Sequence, residues 1–446
     1  MATSMAVTGI GLVSPVGSRP AEVFAAACDG WSGASRPPED HPLHGLLDVA
    51  AFAPDIDPAS VLPATEARFV DRAIVMALRA AEDALADAGL EVGRDVDPFR
   101  IAVVVSGVGG LALFEEQANL YARKGRLGVS PYLLPGVLPN MAAARIAIKF
   151  GIQGYATSAG TACAAGAQSV GDALRILRAG EADVVLAGCS EAPLFPTFAS
   201  AFTNARALAH GWADPAEASR PFDRRRNGLV LGEGAGVLVL ERPEHARARG
   251  AAHYAEVLGW GATTDAYHPT APRPDGSAAA RCMQLALRDA GLEPGDIGYL
   301  NAHGTSTKAG DAAELRAISA VFGTASPPVS STKGVTGHML GTSGVIEAAI
   351  GMQALQRGLL PPTANLDDPD PDPDVDHIRK AARTARPRAV LSNSFGFGGH
   401  NVSLVLASPG PAGNDPAGND PAANDSTGND PGGDGSARNN SAGGER

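Results

Sequence analysis

The sequence predicts an α/β fold built from two copies of one layered unit. Short apolar runs bounded by glycine and rich in β-branched residues, such as ADVVLAG and GAGVLVLE, are typical of strands buried on both faces. Helical runs such as DRAIVMALRAAEDALADAG alternate with them, which indicates an α/β layer architecture. The segment DAGLE occurs twice, at Asp87 to Glu91 and at Asp289 to Glu293. The chain therefore looks duplicated.

Each DAGLE segment closes a predicted helix and precedes a predicted strand. The first lies before RIAVVVSG and the second before IGYLNAHG, and each has a glycine where a left-handed helix cap is expected. The boundary between the halves is predicted near Gly250, after PEHARARG, which gives domains of residues 1–250 and 251–408. From Pro409 the chain repeats GNDPA-like units with almost no large apolar residue, so residues 409–446 are predicted to be a disordered tail.

Composition excludes several classes of protein. A chain of 446 residues with 44% hydrophobic residues exceeds one ordinary domain and can form a large core. Its four cysteines form neither a CxxC pattern nor a disulfide framework, which favours a reducing, cytoplasmic location. No segment approaches the roughly 18 apolar residues that a membrane helix needs, and no basic region precedes the first apolar stretch. The net charge of −12 argues against nonspecific nucleic-acid binding.

The first candidate catalytic residue is Cys163, in TSAGTACAAGA. The helical run GAQSVGDALRILRAG follows it, so the cysteine is predicted to lie at a helix N-terminus, where backbone N–H groups and the helix dipole favour a thiolate. This makes Cys163 a candidate acyl carrier. We interpret Cys28, Cys189 and Cys282 as small buried hydrophobic residues.

Two histidines complete the candidate site. His303 lies in NAHGTST and His338 in STKGVTGHMLGTSG, both glycine-rich loops. Neutral imidazoles on such loops can donate hydrogen bonds to one substrate oxygen and stabilise an enolate in a dry pocket. A cysteine with two such histidines suits acyl transfer followed by carbon–carbon bond formation.

These motifs resemble the elongating (type II) β-ketoacyl-acyl carrier protein synthases of the thiolase superfamily. The likeness runs from VTGIGLVSPVG at Val7 to GFGGHNVSLVL at Leu406, with TAC, RPFD and GEGAG, NAHGTST, STKGVTGH and NSFGFGGHN in the family's order. The resemblance implies a thiolase-like fold with α-β-α-β-α layers and an acyl-enzyme on Cys163. His303 and His338 then support malonyl decarboxylation. Priming synthases resemble a Cys-His-Asn set, so His338 indicates elongation.

The resemblance also implies roles for neighbouring residues. Lys333 is expected to pair with a buried Glu347 and to keep the histidines neutral. Phe395 is expected to gate the acyl pocket, and its backbone N–H to form the oxyanion hole with that of Cys163. The other implied residues are the pantetheine-binding Thr305 and Thr307, the supporting Asp311 and Glu314, the acyl-pocket Val108 and Phe202, and the carrier-docking candidates Arg68, Arg72, Arg123, Lys124, Arg126 and Arg206.

Some features depart from the family pattern or suggest other functions. Asn227 and Leu229 stand where the family usually has RDGF, which bears on local loop packing and not on the reaction. Lys308 replaces a usual proline, and TACAAGA has alanines where serine or threonine is common; both favour a polyketide-type pathway over fatty-acid synthesis. GEGAG superficially resembles a dinucleotide-binding loop, but VLVLE after it is typical of a strand, whereas phosphate binding needs a helix there.

The function predicted from the resemblance is decarboxylative Claisen condensation by an acyltransferase that uses malonyl-acyl carrier protein. It needs no metal or organic cofactor beyond the carrier's phosphopantetheine. Expected partners are acyl carrier protein and either a second copy, forming a homodimer, or a chain-length factor, forming a heterodimer. Two alternatives stay open: a noncatalytic chain-length partner of another synthase, and a repurposed acyltransferase or malonyl decarboxylase.

Overall fold

The strands in the described part of the chain form one large sheet and two small ones. A computed structural model describes residues 3–67, 70–371 and 375–409, so nearly all of the predicted tail (410–446) lies outside the described residues. The strands are β1 Met5–Val13, β2 Ala34–Ser35, β3 Ala50–Ala51, β4 Ile101–Ser106, β5 Ala156–Thr157, β6 Val184–Glu191, β7 Gly234–Glu241, β8 Ala255–Thr264, β9 Ile297–Asn301, β10 Val329–Ser330, β11 Leu359–Leu360, β12 Arg383–Thr384, β13 Ala389–Gly396 and β14 His400–Ala407.

Helices connect these strands on both faces of the sheet. They are α1 Pro20–Asp29, α2 Ala64–Ala67, α3 Arg72–Asp87, α4 Leu111–Lys124, α5 Leu133–Val137, α6 Met141–Phe150, α7 Ala165–Arg178, α8 Pro196–Asn204, α9 Pro243–Ala248, α10 Ser277–Ala290, α11 Lys308–Phe322, α12 Lys333–Thr336 and α13 Ser343–Arg357. Short 3-10 turns cover Pro58–Ser60, Gly125–Gly128, Ala162–Ala164, Pro215–Glu217, Pro294–Asp296 and Leu340–Thr342. None of the described helices has the length and apolar character of a bilayer span.

The large sheet contains the same five-stranded unit twice. Its order is β5-β4-β6-β7-β1 in the first half, continued by β8-β14-β13-β9-β10 in the second. In each half the three strands farthest from the centre pair in parallel, and the remaining pairs are antiparallel. The halves meet where β1 pairs with β8 over a few residues. The predicted duplication is therefore confirmed by topology.

The two DAGLE segments occupy equivalent places in this topology. Asp87 ends α3 before β4, and Asp289 lies in the last turn of α10 before β9. Gly89 and Gly291 have φ of 59° and 68°, the left-handed conformation that glycine adopts most readily. Gly250, the predicted division between the halves, lies in the connection from α9 to β8.

Alternate residues of the strands face different helix layers. In β4, Ile101, Val103 and Val105 pack in the cluster that includes α3 and α6, whereas Ala102 and Val104 pack in the cluster that includes α7 and α13. On the far side of the second half, α10 and α11 form a third cluster with β9, β13 and β14. The order of layers is thus α-β-α-β-α, as expected. Strands buried on both faces explain the continuous apolar runs of the sequence.

Candidate active site

Cys163 lies on the short turn that leads into α7. It is 8% exposed, within the 3-10 turn Ala162–Ala164, and Ala162 before it has a left-handed φ of 48°. The end of β13 packs directly against this turn: a Cβ on Gly396 would lie only 2.6 Å from the Thr161 carbonyl oxygen and 3.0 Å from the Cys163 nitrogen. Only glycine permits that approach.

The environment of Cys163 does not favour a thiolate. Burial and, after it, the charge of Glu191 raise the pKa of its thiol to about 12, although Lys333 and two backbone N–H groups act to lower it. The thiolate expected at the helix N-terminus is therefore not favoured by these surroundings, because desolvation of the sulfur is the largest influence on its pKa.

His303 and His338 face each other across one cavity. His303 follows β9, and His338 follows α12; their ring centroids are 5.3 Å apart and the rings are nearly perpendicular. Both are buried. Burial and then the charge of Lys333 hold the pKa of each imidazole well below its usual value. At neutral pH both rings are therefore uncharged.

Backbone contacts fix His338 from a segment far away in sequence. Its N–H donates to the Val230 carbonyl at 2.7 Å, and its own carbonyl accepts from the N–H of Gly232 at 3.0 Å. The Nδ1 atom lies 3.4 Å from the Ser343 hydroxyl, whose oxygen already accepts from the N–H of Met339. With that hydroxyl as donor to Nδ1, the proton of the neutral ring lies on Nε2. The GEGAG region thus supports the site, and VLVLE forms β7 rather than a phosphate-binding helix.

Lys333 and Glu347 form a fully buried ion pair next to the histidines. Burial raises the pKa of Glu347 to about 7, although Lys333 opposes that rise. An ammonium group enclosed in this way acts on its neighbours through weakly screened electrostatics. Lys333 accordingly lowers the pKa of both histidines and of Cys163.

Two further carboxylates hold the turn that bears His303. Glu314 accepts the N–H groups of His303 and Gly304 at 2.8 and 2.7 Å. Asp311 accepts the N–H groups of Phe222 and Ser306 at 2.8 and 3.1 Å. Both are buried, and burial raises the pKa of Asp311 to about 7 and that of Glu314 above its usual value. Neither side chain is a free acid or base.

A cavity of about 440 Å³ brings together nine of the predicted site residues. Thr305 and Thr307 lie in its wall with their hydroxyl oxygens 2.9 Å apart. Predicted residues among its lining are Cys163, His303, His338, Thr305, Thr307, Glu314, Phe202, Arg206 and Phe395. Val108 is not among them: it lies half-buried on the turn after β4.

The two phenylalanines of NSFGFGGHN occupy different positions. The ring of Phe395 lies 5.8 Å from the ring of His303. The N–H that faces the Cys163 sulfur belongs to Phe397, and the exposed ring of Phe397 stacks on Phe202 at 6.0 Å. The expected partner of Cys163 in an oxyanion hole is therefore Phe397 rather than Phe395, which corrects the assignment by two residues.

The predicted docking cations do not form one patch around the cavity. Arg206 lies at the cavity and is exposed, as is Lys308. Arg72 instead pairs with Glu233 at 2.8 Å and Asp55 at 2.9 Å, so two carboxylates already neutralise its charge, and its docking role stays a prediction. The exposed Arg123, Lys124 and Arg126 lie at the end of α4 and in the turn after it, and Arg68 lies outside the described residues.

Among the buried carboxylates that the sequence analysis did not single out, Glu191 is one that acts on the Cys163 thiol. It ends β6, is 1% exposed and accepts the N–H of Val108 at 3.2 Å. The available signal is a glutamate at the end of the apolar run VVLAGCSE. Among the described residues, no group of three or more histidine, cysteine and acidic side chains is arranged to hold a metal.

Comparison with known proteins places the chain in a family. Residues 2–246 match the N-terminal domain of β-ketoacyl synthases, and residues 254–367 match the C-terminal domain. The chain belongs to the β-ketoacyl synthase family. It is 40% identical over 404 residues to a 3-oxoacyl-[acyl-carrier-protein] synthase 2 of Coxiella burnetii, covering 90% of this chain and 97% of that relative.

Solved structures of β-ketoacyl synthases share the fold. One is the type II polyketide synthase AntDE:AntF, an acyl-carrier protein in complex with its ketosynthase bound to the hexaketide, with a TM-score of 0.84 and 31% identity. Another is the ishigamide ketosynthase/chain length factor, with a TM-score of 0.84 and 36% identity. Each comparison covers 92% of this chain and all of the other.

Proposed function

We propose that this chain elongates acyl groups by decarboxylative Claisen condensation. The observation that carries the proposal is the shared cavity, where one cysteine lies with two histidines that burial and Lys333 keep uncharged. A nucleophile for the acyl group and two neutral donors for an enolate are the groups that this reaction requires. Membership of the β-ketoacyl synthase family supports the same reaction.

In the first step an acyl group moves from a carrier thioester to Cys163. The sulfur attacks the carbonyl carbon, the thiol proton leaves, and the carrier thiol departs with a proton once the tetrahedral intermediate collapses. The N–H groups of Cys163 and Phe397 are the proposed donors to the oxyanion. Lys333 and these two backbone N–H groups lower the thiol pKa against the effect of burial and so favour loss of that proton.

In the second step a malonyl thioester loses carbon dioxide. The electrons of the broken carbon–carbon bond form an enolate, whose oxygen accepts hydrogen bonds from the neutral imidazoles of His303 and His338. The enolate carbon attacks the acyl thioester on Cys163, which releases a β-ketoacyl product and restores the sulfur. Charged imidazoles would transfer a proton to the enolate rather than stabilise it, so their low pKa serves the reaction.

We propose acyl carrier protein as the bearer of both substrates. The hydroxyls of Thr305 and Thr307 in the cavity wall can bind the amides of a phosphopantetheine arm. Arg206 and Lys308, both exposed beside the cavity, can bind its phosphate or acidic groups of the carrier. A similar ketosynthase structure is a complex with an acyl-carrier protein.

Replacing the nucleophile tests the proposed reaction. Cys163→Ala, given acyl-carrier and malonyl-carrier protein, is expected to form neither an acyl-enzyme nor a β-ketoacyl product, measured by radiolabel transfer and product mass spectrometry. Cys282→Ala, a buried cysteine on α10, is the matched control and keeps both signals. Continued β-ketoacyl formation by Cys163→Ala would refute the assignment. A wild-type chain that takes no label would instead be a noncatalytic chain-length partner.

A further inference from the structure

Glu191 is a buried carboxylate that the proposed reaction does not use. It ends β6, and no described cation forms an ion pair with it. Burial raises its pKa to about 8, two backbone N–H groups lower it, and the carboxylate of Asp71 at the start of α3 raises it. Such a group costs stability unless hydrogen bonds compensate, so its contacts need an explanation.

Those contacts connect two turns that are distant in sequence. The carboxylate accepts the N–H of Val108, on the turn after β4, at 3.2 Å. It also accepts the N–H of Gly341, in the 3-10 turn that follows His338. One side chain therefore holds both the Val108 turn and the Gly341 turn to the end of β6.

The turn that contains Gly341 also packs against the turn that carries Cys163. A Cβ on Gly341 would lie 3.1 Å from the carbonyl oxygen of Ala162 and 2.8 Å from the Sγ of Cys189. There is no space between this turn and the residue preceding Cys163. Any movement of Gly341 would therefore displace the turn that carries the sulfur.

The charge of Glu191 also acts on the sulfur. After burial, it is the next largest cause that raises the pKa of the Cys163 thiol, and Lys333 acts in the opposite direction. Asp71 from α3, Cys189 from β6 and Cys163 are the titratable groups that act on Glu191 or respond to it. Both neighbouring histidines stay neutral in the range where Glu191 titrates.

We propose that Glu191 is a positioning residue for acyl transfer, whose carboxylate clamps the Val108 and Gly341 turns around Cys163 and whose charge restrains the thiol. The inference rests on the proposed function only for the identity of the acyl donor. Two carboxylate oxygens accept two N–H groups, whereas a glutamine offers one oxygen and turns an NH₂ group toward the other N–H. Glu191→Gln therefore removes both the charge and one half of the clamp.

The rate at which Cys163 is alkylated reports the effect of the Glu191 charge on its thiol. In the wild type, the rate of reaction with iodoacetamide should rise with pH and bend downward near pH 8, because ionised Glu191 makes the thiolate harder to form. Glu191→Gln should show no bend, and should react several-fold faster than the wild type above that pH. Peptide mass spectrometry restricts the measurement to Cys163, since unfolding would also label Cys189.

The rate of acyl transfer reports how well Glu191 holds the Val108 and Gly341 turns in place. Above pH 8, where Glu191 is ionised, Glu191→Gln should transfer an acyl group from acyl-carrier protein about tenfold more slowly in kcat/KM, the effect of one lost buried hydrogen bond to a charged acceptor. Faster alkylation together with slower acylation is the expected signature. A purely structural defect would slow acylation without removing the bend in the alkylation profile.

The matched control is Glu241→Gln, a buried glutamate at the opposite end of the β6 and β7 pair. It reports the effect of replacing a buried glutamate by glutamine away from Cys163. Its alkylation profile should keep the bend near pH 8. A bend that persists in Glu191→Gln, or acylation at the wild-type rate, overturns the proposal. If the variant fails to fold, the wild-type profile decides, since a straight line through pH 8 also overturns it. Failure of the proposed function is seen separately, as the absence of β-ketoacyl product from wild type.

Discussion

Burial shifts the pKa of the three side chains proposed for catalysis in two directions, with opposite consequences for the reaction. It removes the charge of His303 and His338, which suits them to donate hydrogen bonds to an enolate. The same burial raises the pKa of the Cys163 thiol to about 12, which opposes nucleophilic attack. Lys333 lowers the pKa of all three, so a single charge favours both steps.

Replacement of Lys333 by methionine tests this shared effect. Without its positive charge the pKa of both imidazoles rises, although burial, the larger cause, still holds it below the ordinary value, so protonation begins to inhibit decarboxylation at a higher pH than in the wild type. One pH unit below the raised pKa, Lys333→Met should decarboxylate malonyl-carrier protein about tenfold more slowly than at its plateau. The wild-type rate should stay flat over the same range. The measurement is carbon dioxide release as a function of pH.

The control must separate charge from folding, because the single variant leaves Glu347 buried without its partner. Lys333→Met combined with Glu347→Leu removes the unpaired carboxyl and should recover the wild-type melting temperature. The double variant should keep the acid limb. A flat acid profile in a fully folded double variant contradicts the electrostatic role of Lys333.

At the scale of elements, the site forms where the ends of several strands and helices lie close together. His303 follows the end of β9, Phe397 follows the end of β13, and Cys163 precedes α7. Ends of adjacent parallel strands such as β9 and β13 share one edge of a sheet, which brings their turns together. Helix α7, which follows the Cys163 turn, packs between the two halves, so the turn reaches that edge from the other unit.

A methyl group at Gly396 tests the contact between two of these elements. Gly396→Ala places its Cβ 2.6 Å from the Thr161 carbonyl oxygen, so the end of β13 must move away from the nucleophile turn. The N–H of Phe397 then loses its position, and acyl transfer should fall by 10²-fold or more, as expected of a lost oxyanion donor. Gly295→Ala, where the Cβ meets open space, is the control. Equal rates of acyl-enzyme formation in the two variants would exclude Phe397 as a donor.

The positions of Cys163, His303 and His338 could be predicted because each lies in a short glycine-rich segment beside a strand or helix. The choice between Phe395 and Phe397 could not, because it depends on where the β13 ladder ends: Phe395 still pairs with Asn401, and Phe397 lies in the turn beyond. Nothing in the sequence between Phe395 and Phe397 indicates where the β13 ladder ends.

Glu191 and Asn227 were unpredictable for a different reason, since their partners are distant in sequence. Glu191 is buried because the Val108 and Gly341 turns cover it. Asn227 accepts from the indole N–H of Trp212 at 3.0 Å and donates to the His210 carbonyl at 2.9 Å. A carboxylate could not make the second bond, which explains why this departure from RDGF is compatible with the fold.

At the scale of the whole molecule, the duplicated sheet leaves an uncovered end. β5 is the last strand of the first half, and among the described residues it pairs only with β4. Large apolar side chains are exposed on the neighbouring connections between β4 and β5: Phe114, Tyr121, Leu127, Tyr132, Leu134, Leu138, Ile148 and Tyr155. An open strand edge beside such a patch is the signature of an interface. We propose that a second copy of this chain covers it.

Charge introduced into that patch tests the homodimer. Leu127 and Leu134 are 87% and 64% exposed, so aspartate at either position costs a single chain little, but would be buried without a partner in a dimer. Leu127→Asp with Leu134→Asp should shift the wild-type dimer to a monomer in analytical ultracentrifugation, with an unchanged circular dichroism spectrum. Trp31→Asp, at an exposed aromatic after α1, is the control and should stay dimeric. A wild-type chain that sediments as a monomer refutes the homodimer and leaves a chain-length factor as the partner for the same surface, since a ketosynthase/chain length factor is among the similar structures.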